Sequence, residues 1–362
     1  MQKRYTSLDV FRGLTIGAMI LVNTPGSWAN IYPPLAHADW HGYTPTDLVF
    51  PFFLVAVGLS MSFSFEKFRE AKGSLFFTKT IRRAIIIFLI GLALTAFPFI
   101  GKDYSQLRIL GVLQRIALAY LLASIVVYYI KSTKHLLVFS SLLLFLYWFV
   151  LVVFGHEDPF GLEGNLPRII DLALIGDAHM WHGKKIAFDP EGLLSTFPAA
   201  ITVISGYLFG RLIKSTSEQD LLAKLLLAST ALIGLGYSWS LFFPINKALW
   251  TSSYVLVSSG IAGVILAQLI YLIDVRHWHQ WSKPFEVFGL NPLISFVLSI
   301  LWVKIYFLIK IDGQNMYGWL YTEVYKGIIN PTFGSLLFAI THVIGVWLIA
   351  YFLYRKRIII KI

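Results

Sequence analysis

Long apolar runs recur along the whole chain, and they constrain its fold more than any other feature of the sequence. A helix that crosses a bilayer needs roughly 20 mostly apolar residues, and about ten stretches meet this need. They lie near residues 8–24, 45–65, 83–100, 107–130, 135–154, 192–213, 220–242, 249–273, 286–309 and 334–354. Because lipid supplies no hydrogen-bond partners, only helices and closed barrels satisfy the backbone there, and unbroken apolar runs indicate helices. The sequence therefore predicts an all-α integral membrane protein, a bundle of about ten transmembrane helices.

Composition agrees with this class and narrows the chemistry. The chain is 57% hydrophobic and only 14% charged, which is too apolar for a soluble domain of 362 residues. It contains no cysteine, so disulfides, iron–sulfur clusters and a thiol nucleophile are excluded. The first apolar run follows basic residues but lacks a clean small-residue cleavage site, and we therefore expect a retained first helix rather than a signal peptide.

The basic residues are distributed unequally between the two sides of such a bundle. With the N-terminus inside, 19 of the 30 Lys and Arg residues fall in cytoplasmic segments and 8 in outer segments. This asymmetry is the positive-inside pattern of membrane proteins, and it predicts that both termini are cytoplasmic. The formal net charge of +11 therefore indicates membrane topology, and we expect no nucleic-acid partner.

Three longer connections, at residues 25–44, 155–191 and 310–333, all lie on the outer face under this topology. Long structured loops on one side of a bundle are where function tends to be located. We find no soluble domain and no clear internal repeat. The sequence thus predicts one transmembrane domain over residues 1–362 whose polar chemistry faces outward.

The stretch LAHADWHGYTPTDLVF places titratable residues directly before an apolar run. It contains His37, Asp39, His41 and Asp47. Histidine is the usual general base near neutral pH and also serves as an acyl-carrying nucleophile, and a nearby carboxylate fixes its tautomer. The simpler alternatives are a water-facing loop and, for Asp47, an acid favoured at a helix N-terminus. A metal site at the two histidines is disfavoured, because no third ligand is evident and Pro45 places the helix start later.

Charged and amide side chains also occur inside the predicted spans, where they are expensive and usually functional. Asp9 and Arg12 are three residues apart, which fits either a functional pair or a neutralising ion pair. Gln114 and Arg115 fall inside the fourth span, and the planar fork of an arginine suits a phosphate or carboxylate.

Several polar turns flank the spans and hold further candidates. Asn23 closes the first span in LVNTPG, which alone is a turn signal. Asp189 and Glu191 lie in DPEG before the sixth span, and Asn246 and Lys247 lie in PINKALW before the eighth.

Taken together, these stretches resemble one family, the heparan-α-glucosaminide N-acetyltransferases, which are transmembrane acyltransferases, in their shorter bacterial form. The resemblance runs in family order over most of the chain. Its motifs are SLDVFRGLTI, LVNTPG, HADWHGYTPTDLVFPFFLVAVG, LRILGVLQRIALAY, FDPEGLLSTFPA, INKALWTSSYVL and GLNPLISF.

The resemblance implies a reaction in which an acetyl group passes from cytoplasmic acetyl-CoA to the amino group of a glucosamine-type sugar on the outer side of the membrane. It assigns the essential histidine to His37 and its companion asparagine to Asn23, with acidic residues at Asp47 and Asp9. We expect Asp39 or Asp47 to orient His37, and Asn23 to stabilise the developing oxyanion. Direct transfer and a covalent acetyl-histidine remain equally open.

The remaining candidates divide between the two substrates, and no metal is expected. Acetyl-CoA is assigned to Arg12, Arg82, Arg83, Gln114, Arg115, Asn246 and Lys247. The acceptor sugar is assigned to Trp40, His41, Asp189 and Glu191. Two departures from the family pattern lie beside the acceptor site: the segment before His37 is longer and contains Pro33-Pro34, and His41 replaces an asparagine.

Two other functions fit the same sequence less well. An amino-sugar transporter fits ten spans, but the inverted repeat of many transporters is not evident. A non-catalytic scaffold for lipid or glycan leaves His37 and Asn23 unexplained. We expect a multi-pass protein of the bacterial inner membrane that contacts lipid and can form a homodimer.

Overall fold

The computed structural model describes residues 5–65 and 73–360, and its regular structure is almost entirely helical. The α-helices are α1 Thr6–Asn23, α2 Pro45–Ser64, α3 Gly73–Ala96, α4 Val112–Tyr129, α5 Thr133–Phe154, α6 Leu166–Leu174, α7 Thr196–Ser215, α8 Glu218–Trp239, α9 Ser252–Leu269, α10 Lys283–Leu290, α11 Pro292–Leu308, α12 Met316–Trp319 and α13 Pro331–Arg355. The predicted all-α class is confirmed.

Short elements connect these helices. The 3₁₀ turns are Pro33–Leu35, Tyr104–Gln106, Asp177–His179 and Gln280–Ser282, and the π-helical turns are Ile270–Val275 and Leu320–Tyr325. The strands β1 Lys310–Ile311 and β2 Gln314–Asn315 form a small antiparallel hairpin in which Lys310 is opposite Asn315.

Seven of the described helices are long and apolar enough to cross a membrane. They are α2, α4, α5, α7, α8, α9 with its π turn, and α13. An eighth candidate is the segment Gln280–Leu290 together with α11, which are bent by 77°. The bend falls at Asn291-Pro292, because proline lacks an amide proton and disfavours helix at the residue before it.

Each of the ten predicted ranges overlaps a helix, and the range 286–309 overlaps both α10 and α11. The helices α1 and α3 fall short of the spanning criterion, and both carry charge in their first half. The charged residues are Asp9 and Arg12 in α1, and Lys79, Arg82 and Arg83 in α3. The multi-pass membrane class is therefore confirmed, while the number of spans and the side of the termini stay predictions.

The chain divides into two compact units. Unit 1 contains the described residues of Met1–Ala38, Tyr43–Phe53 and Gln268–Lys361, and unit 2 contains Asp39–Gly42 and Leu54–Ala267. A single functional domain over the whole chain stays a prediction.

Unit 1 is held together by a close crossing of α1 and α10. A side chain at Gly13 would collide with the Phe285 carbonyl, and one at Gly289 would collide with the backbone of Asp9. The missing side chains bring the two helix backbones together, as is usual for small residues at membrane helix contacts. Arg12 then reaches across, donating from Nη1 to the Gly289 carbonyl at 3.1 Å and to Asp9 Oδ1 at 3.2 Å.

In unit 2, glycines bring the second half of α2 and α7 together in the same way. Gly58 lies against the Val203 backbone, and Gly206 lies against the Val55 backbone. Elsewhere in the unit, a small aromatic and aliphatic core is formed by Tyr147, Leu151 and Phe243. These packed helices provide the rigid base for the loops that carry the polar residues.

Candidate active site

Asn23 is the last residue of α1, and the turn that follows it is anchored to the C-terminal part of unit 1. The Tyr317 hydroxyl donates to the Pro25 carbonyl at 2.6 Å, and burial raises the pKa of that hydroxyl. The Gly26 amide donates to the Ser335 carbonyl at 3.2 Å. A side chain at Gly26 would collide with the Tyr321 ring. The exposed side chain of Asn23 therefore stands on a fixed turn.

The segment before His37 is tied to the first turn of α2. The Thr44 hydroxyl donates to the Ala36 carbonyl at 2.6 Å, and the Thr46 hydroxyl donates to the Pro34 carbonyl at 3.2 Å. Thr46 is almost fully buried. The longer Pro33-Pro34 segment thus forms a 3₁₀ turn that two threonines hold in place.

Asp47 joins the same helix start to His37. Its Oδ2 accepts the backbone N–H groups of Ala38 and Thr44, each at 3.0 Å. The bond from Thr44 is the return bond of a helix N-terminal capping box, with Pro45 at the first helical position. The other oxygen, Oδ1, is 2.6 Å from His37 Nδ1. The local sequence therefore uses one carboxylate both to begin α2 and to hold an imidazole.

The two side chains differ in exposure, and this difference defines their roles. The Asp47 side chain is 2% exposed, whereas that of His37 is 40% exposed. An ionised carboxylate is an acceptor only, so His37 Nδ1 is the donor in this bond. That arrangement leaves Nε2 as the ring nitrogen suited to take a proton or attack an acyl carbon. The pair is a histidine–carboxylate dyad at the N-terminal end of a helix that is apolar enough to span a membrane.

Asp39, Trp40 and His41 follow within unit 2. The Asp39 carbonyl accepts from Lys184 Nζ, and the Trp40 indole donates to the Phe160 carbonyl at 2.8 Å. The His41 ring is 3.4 Å from the Asn246 amide nitrogen. Partial burial lowers the pKa of His41, and nearby Asp158 opposes that shift.

Asp189 and Glu191 share one guanidinium. Arg108 donates to the Asp189 carboxylate from Nε at 3.0 Å and from Nη2 at 2.7 Å, and to Glu191 at 2.6 Å. Although burial acts to lower the pKa of Arg108, its bonds to both carboxylates raise it. Burial raises the pKa of Asp189, and the Arg108 bonds oppose that effect. Arg108 is a residue that the sequence patterns did not single out, although it stands in the quoted motif LRILGVLQRIALAY.

Arg115 and Asp171 hold the DPEG turn from two sides. Arg115 is fully buried and donates to the carbonyls of Pro190, Gly192 and Ser195 at 3.0–3.2 Å. Asp171 Oδ1 accepts the Leu193 amide at 2.9 Å. Burial raises the pKa of Asp171 to about 6, against the effect of this hydrogen bond. The guanidinium of Arg115 is thus engaged with the turn that carries Asp189 and Glu191.

Arg12 lies in unit 1, and the other residues assigned to acetyl-CoA lie in unit 2. Gln114 in α4 is buried beside Gly91, and its Nε2 has no protein partner among the described residues. Arg82 is exposed on α3, and the Arg83 guanidinium lies over the Tyr120 ring at 5.0 Å. The two candidates in the PINKALW turn are a buried Asn246, whose Oδ1 accepts the Leu249 amide at 2.8 Å, and a half-buried Lys247.

Within the described residues 5–65 and 73–360, no three or more His, Asp or Glu side chains cluster in a way that would hold a metal ion.

The helices and the dyad define a multi-pass membrane protein with a histidine–aspartate pair at the entrance of one span. Comparison with known families then gives a narrower result. Residues 4–243 match the family described as heparan-alpha-glucosaminide N-acetyltransferase, catalytic, and the chain belongs to that family. The resemblance drawn from the motifs is confirmed.

Two mammalian proteins illustrate the relationship. The heparan-alpha-glucosaminide N-acetyltransferase of Homo sapiens is 26% identical over 418 aligned residues, covering 99% of this chain and 60% of the human protein. The protein of the same name from Mus musculus is 27% identical over 352 aligned residues, covering 81% of this chain and 53% of the mouse protein. The chain therefore spans little more than half the length of these relatives.

Proposed function

We propose that this chain is a membrane-embedded N-acetyltransferase that moves an acetyl group from acetyl-CoA to the amino group of a glucosamine-type sugar. The observation that carries the proposal is the 2.6 Å contact between exposed His37 and buried Asp47, in a chain of the N-acetyltransferase family. A general base beside a buried carboxylate is what amine acylation needs, because an amino sugar is mostly protonated at neutral pH and must lose protons to react.

The ammonium form of the sugar first releases one proton to water, and the dyad handles the second proton, which the neutral amine loses during the transfer. His37 Nε2 takes the proton that the sugar amine loses as its nitrogen attacks the thioester carbonyl. A C–N bond forms, the C–S bond breaks, and the imidazolium returns the proton to the departing thiolate of CoA. Asp47 stabilises the imidazolium through Nδ1 without itself being protonated.

A covalent route uses the same residues in two steps. His37 Nε2 would attack the thioester first, release CoA and hold the acetyl group until the amine arrives. Incubation with acetyl-CoA in the absence of sugar separates the routes. Mass spectrometry of the peptide that contains His37 shows an added acetyl group only in the covalent route.

Asn23 is proposed as the donor to the oxyanion that develops on the acetyl carbonyl. Its anchored turn keeps a side-chain amide available at the end of α1, and one such donor typically contributes about 10²–10³ in rate. This role requires Asn23 to act on the transition state, so its loss should lower kcat more than it raises KM.

The donor substrate is assigned to the α3–α4 region of unit 2. Arg82 and Arg83 lie in the first half of α3, and guanidinium groups suit the phosphates of CoA. Further along the same helix pair, Gln114 Nε2 lacks a protein partner among the described residues and suits an amide carbonyl of the pantetheine arm. Arg115 is proposed to support the site indirectly, because its N–H groups hold the DPEG turn in place.

The acceptor is assigned to the loops of unit 2 that carry Trp40, His41, Asp189 and Glu191. Carboxylates accept from sugar hydroxyls, and an indole ring stacks on a pyranose face. These assignments and the transfer across the membrane are proposals, as is the placement of the termini in the cytoplasm.

Release of free CoA from acetyl-CoA tests the function directly. Purified wild-type protein should release CoA when glucosamine is added, and His37→Ala should abolish release. The matched control is His135→Ala, which removes an exposed histidine at the start of α5 and should leave the rate unchanged. Uptake of labelled glucosamine into vesicles without acetyl-CoA, together with no CoA release, would instead indicate the amino-sugar transporter.

A further inference from the structure

A cleft of about 410 Å³ opens at the C-terminal end of α13, inside unit 1. One wall is the α10–α11 junction with Asn291, and the other is formed by Tyr354, Arg355 and the chain that follows α13. The described residues that line it include Arg355 and Arg357 and no Asp or Glu. The described lining is therefore cationic and apolar, and it contains none of the residues assigned to acetyl transfer.

The backbone after α13 turns in a way that brings Arg357 to this cleft. The Ile358 amide donates to the Leu353 carbonyl at 2.9 Å, and the Arg357 amide donates to the Tyr354 carbonyl at 2.9 Å. These two bonds form a Schellman motif, in which the left-handed position is usually glycine. Here it is Arg357, with φ at 56°. The motif turns the chain back at Arg357, and this residue lines the cleft.

Asn291 holds the returning chain in place with both ends of its amide. Its Nδ2 donates to the Ile358 carbonyl at 2.9 Å, and its Oδ1 accepts the Ile360 amide at 2.9 Å. Ile358 and Ile359 are nonetheless 43% and 49% exposed. The cleft thus combines two arginine residues with an apolar edge that is open to the surroundings.

The position of the cleft along α13 matches the headgroup region of a bilayer. The helix has 25 residues and is about 37 Å long at 1.5 Å per residue, so it exceeds a hydrocarbon core of roughly 30 Å. Near its end, Trp347 stacks on Tyr351 at 4.9 Å, and Tyr351 stacks on Tyr354 at 6.2 Å. Such aromatic residues mark the membrane–water boundary.

We propose that this cleft binds the phosphodiester headgroup of an anionic phospholipid. Arg355 and Arg357 donate to the phosphate oxygens, because planar guanidinium groups form short, charge-assisted bonds with phosphate. Ile358 and Ile359 contact the upper part of the acyl chain. The site is independent of the acetyl-transfer proposal and uses none of its residues.

The test uses the purified full-length chain in detergent, titrated with short-chain phosphatidylglycerol and followed by native mass spectrometry. Salt at about 0.5 M screens general surface attraction to lipid. Arg357→Gly should weaken binding by about tenfold or more and keep the melting temperature, because glycine suits the left-handed position. Arg355→Gln should weaken binding similarly. Lys356→Gln removes an equal charge from the same stretch but not from the cleft lining, and should change affinity less than about twofold.

Any of three results would overturn the proposal. If Arg357→Gly bound phosphatidylglycerol as tightly as the wild type, the Arg357 side chain would have no role in binding. A loss of affinity in Lys356→Gln as large as that in Arg357→Gly would indicate a diffuse basic surface. Displacement of the lipid by inorganic phosphate or acetyl-CoA at equal concentration would indicate a site for free phosphate groups or for the donor substrate.

Discussion

Asp47 is the residue on which the proposed chemistry depends most. It is buried, it accepts two backbone N–H groups, and its remaining oxygen lies 2.6 Å from the His37 ring. Asp39 is exposed and contributes its backbone carbonyl to a contact with Lys184. Between the two acids that the sequence offered as partners of His37, the geometry favours Asp47.

Replacement of Asp47 by asparagine should therefore damage catalysis more than folding. An amide at this position no longer stabilises a protonated imidazole, and we expect kcat to fall by about 10²–10⁴. Turnover of acetyl-CoA with glucosamine measures the effect, and Asp103→Asn, an exposed loop carboxylate, is the control. If Asp39→Asn lost activity to this degree while Asp47→Asn retained it, the assignment would be reversed.

Thr44 acts through the chain that carries His37 rather than on the substrate. Its hydroxyl donates to the Ala36 carbonyl at 2.6 Å. Thr44→Val should cost about 1–2 kcal/mol by leaving that carbonyl unpaired and should lower kcat with little change in KM. Thr44→Ser keeps the hydroxyl and should restore the rate. A loss of rate in the serine variant with a wild-type rate in the valine variant would argue that the methyl group, and not the hydrogen bond, matters.

The raised pKa of Asp171 predicts that the stability of the folded protein depends on pH. Its pKa is raised to about 6 in the folded protein, whereas an unfolded aspartate titrates near 3.9. Between these values the folded state holds a proton that the unfolded state has lost, so stability falls as the pH rises from about 4 to 6. The change is about 3 kcal/mol at most. Melting temperatures of wild type and Asp171→Asn should be similar near pH 4 and should separate as the pH rises to about 6, with the variant more stable. Parallel curves for the two proteins would contradict this.

At the scale of single helices, most of the fold could be predicted from the sequence. Each of the ten apolar runs overlaps at least one helix of the structure, because a spanning helix must be mostly apolar. The ends were less predictable: α3 begins ten residues before the predicted 83, since its first half is charged. The apolar pattern did not predict the 77° bend within the range 286–309, because the residues on both sides of Asn291-Pro292 are apolar.

The polar contacts of the site were predictable only in part. The proximity of His37 and Asp47 could be expected, because they lie ten residues apart around one helix start. Thr44 and Thr46 were missed because their partners are backbone carbonyls, which leave no trace in side-chain patterns. Arg108 was missed because its carboxylate partners are 81 and 83 residues away.

The close crossing of α1 and α10 predicts that a larger side chain at this contact lowers the stability of the protein. Gly13→Val should push α1 away from the Phe285 carbonyl and break the bond from Arg12 to Gly289, with a loss of several kcal/mol of stability. Gly234→Val is the matched control, because a Cβ added to that glycine of α8 would meet no heavy atom within 4 Å. Thermal unfolding in detergent measures both variants. Similar melting temperatures for the two would show that the close approach is not needed.

At the scale of the whole molecule, the predicted topology motivates the proposed direction of the transfer. Basic residues concentrate in the segments predicted to be cytoplasmic, where the charged head of acetyl-CoA is available. His37 lies in the segment 25–44, which is predicted to face the opposite side. We therefore propose that the acetyl group passes from the predicted cytoplasmic side to an amine on the opposite side.

Sealed vesicles containing the purified protein test this claim most directly. Acetyl-CoA labelled in its acetyl group is supplied on one side of the membrane, and glucosamine is enclosed on the other. We predict labelled N-acetylglucosamine in the glucosamine compartment, and none with His37→Ala or Asp47→Asn. Product formed at the wild-type rate by the His37→Ala protein would contradict the proposed role of the dyad.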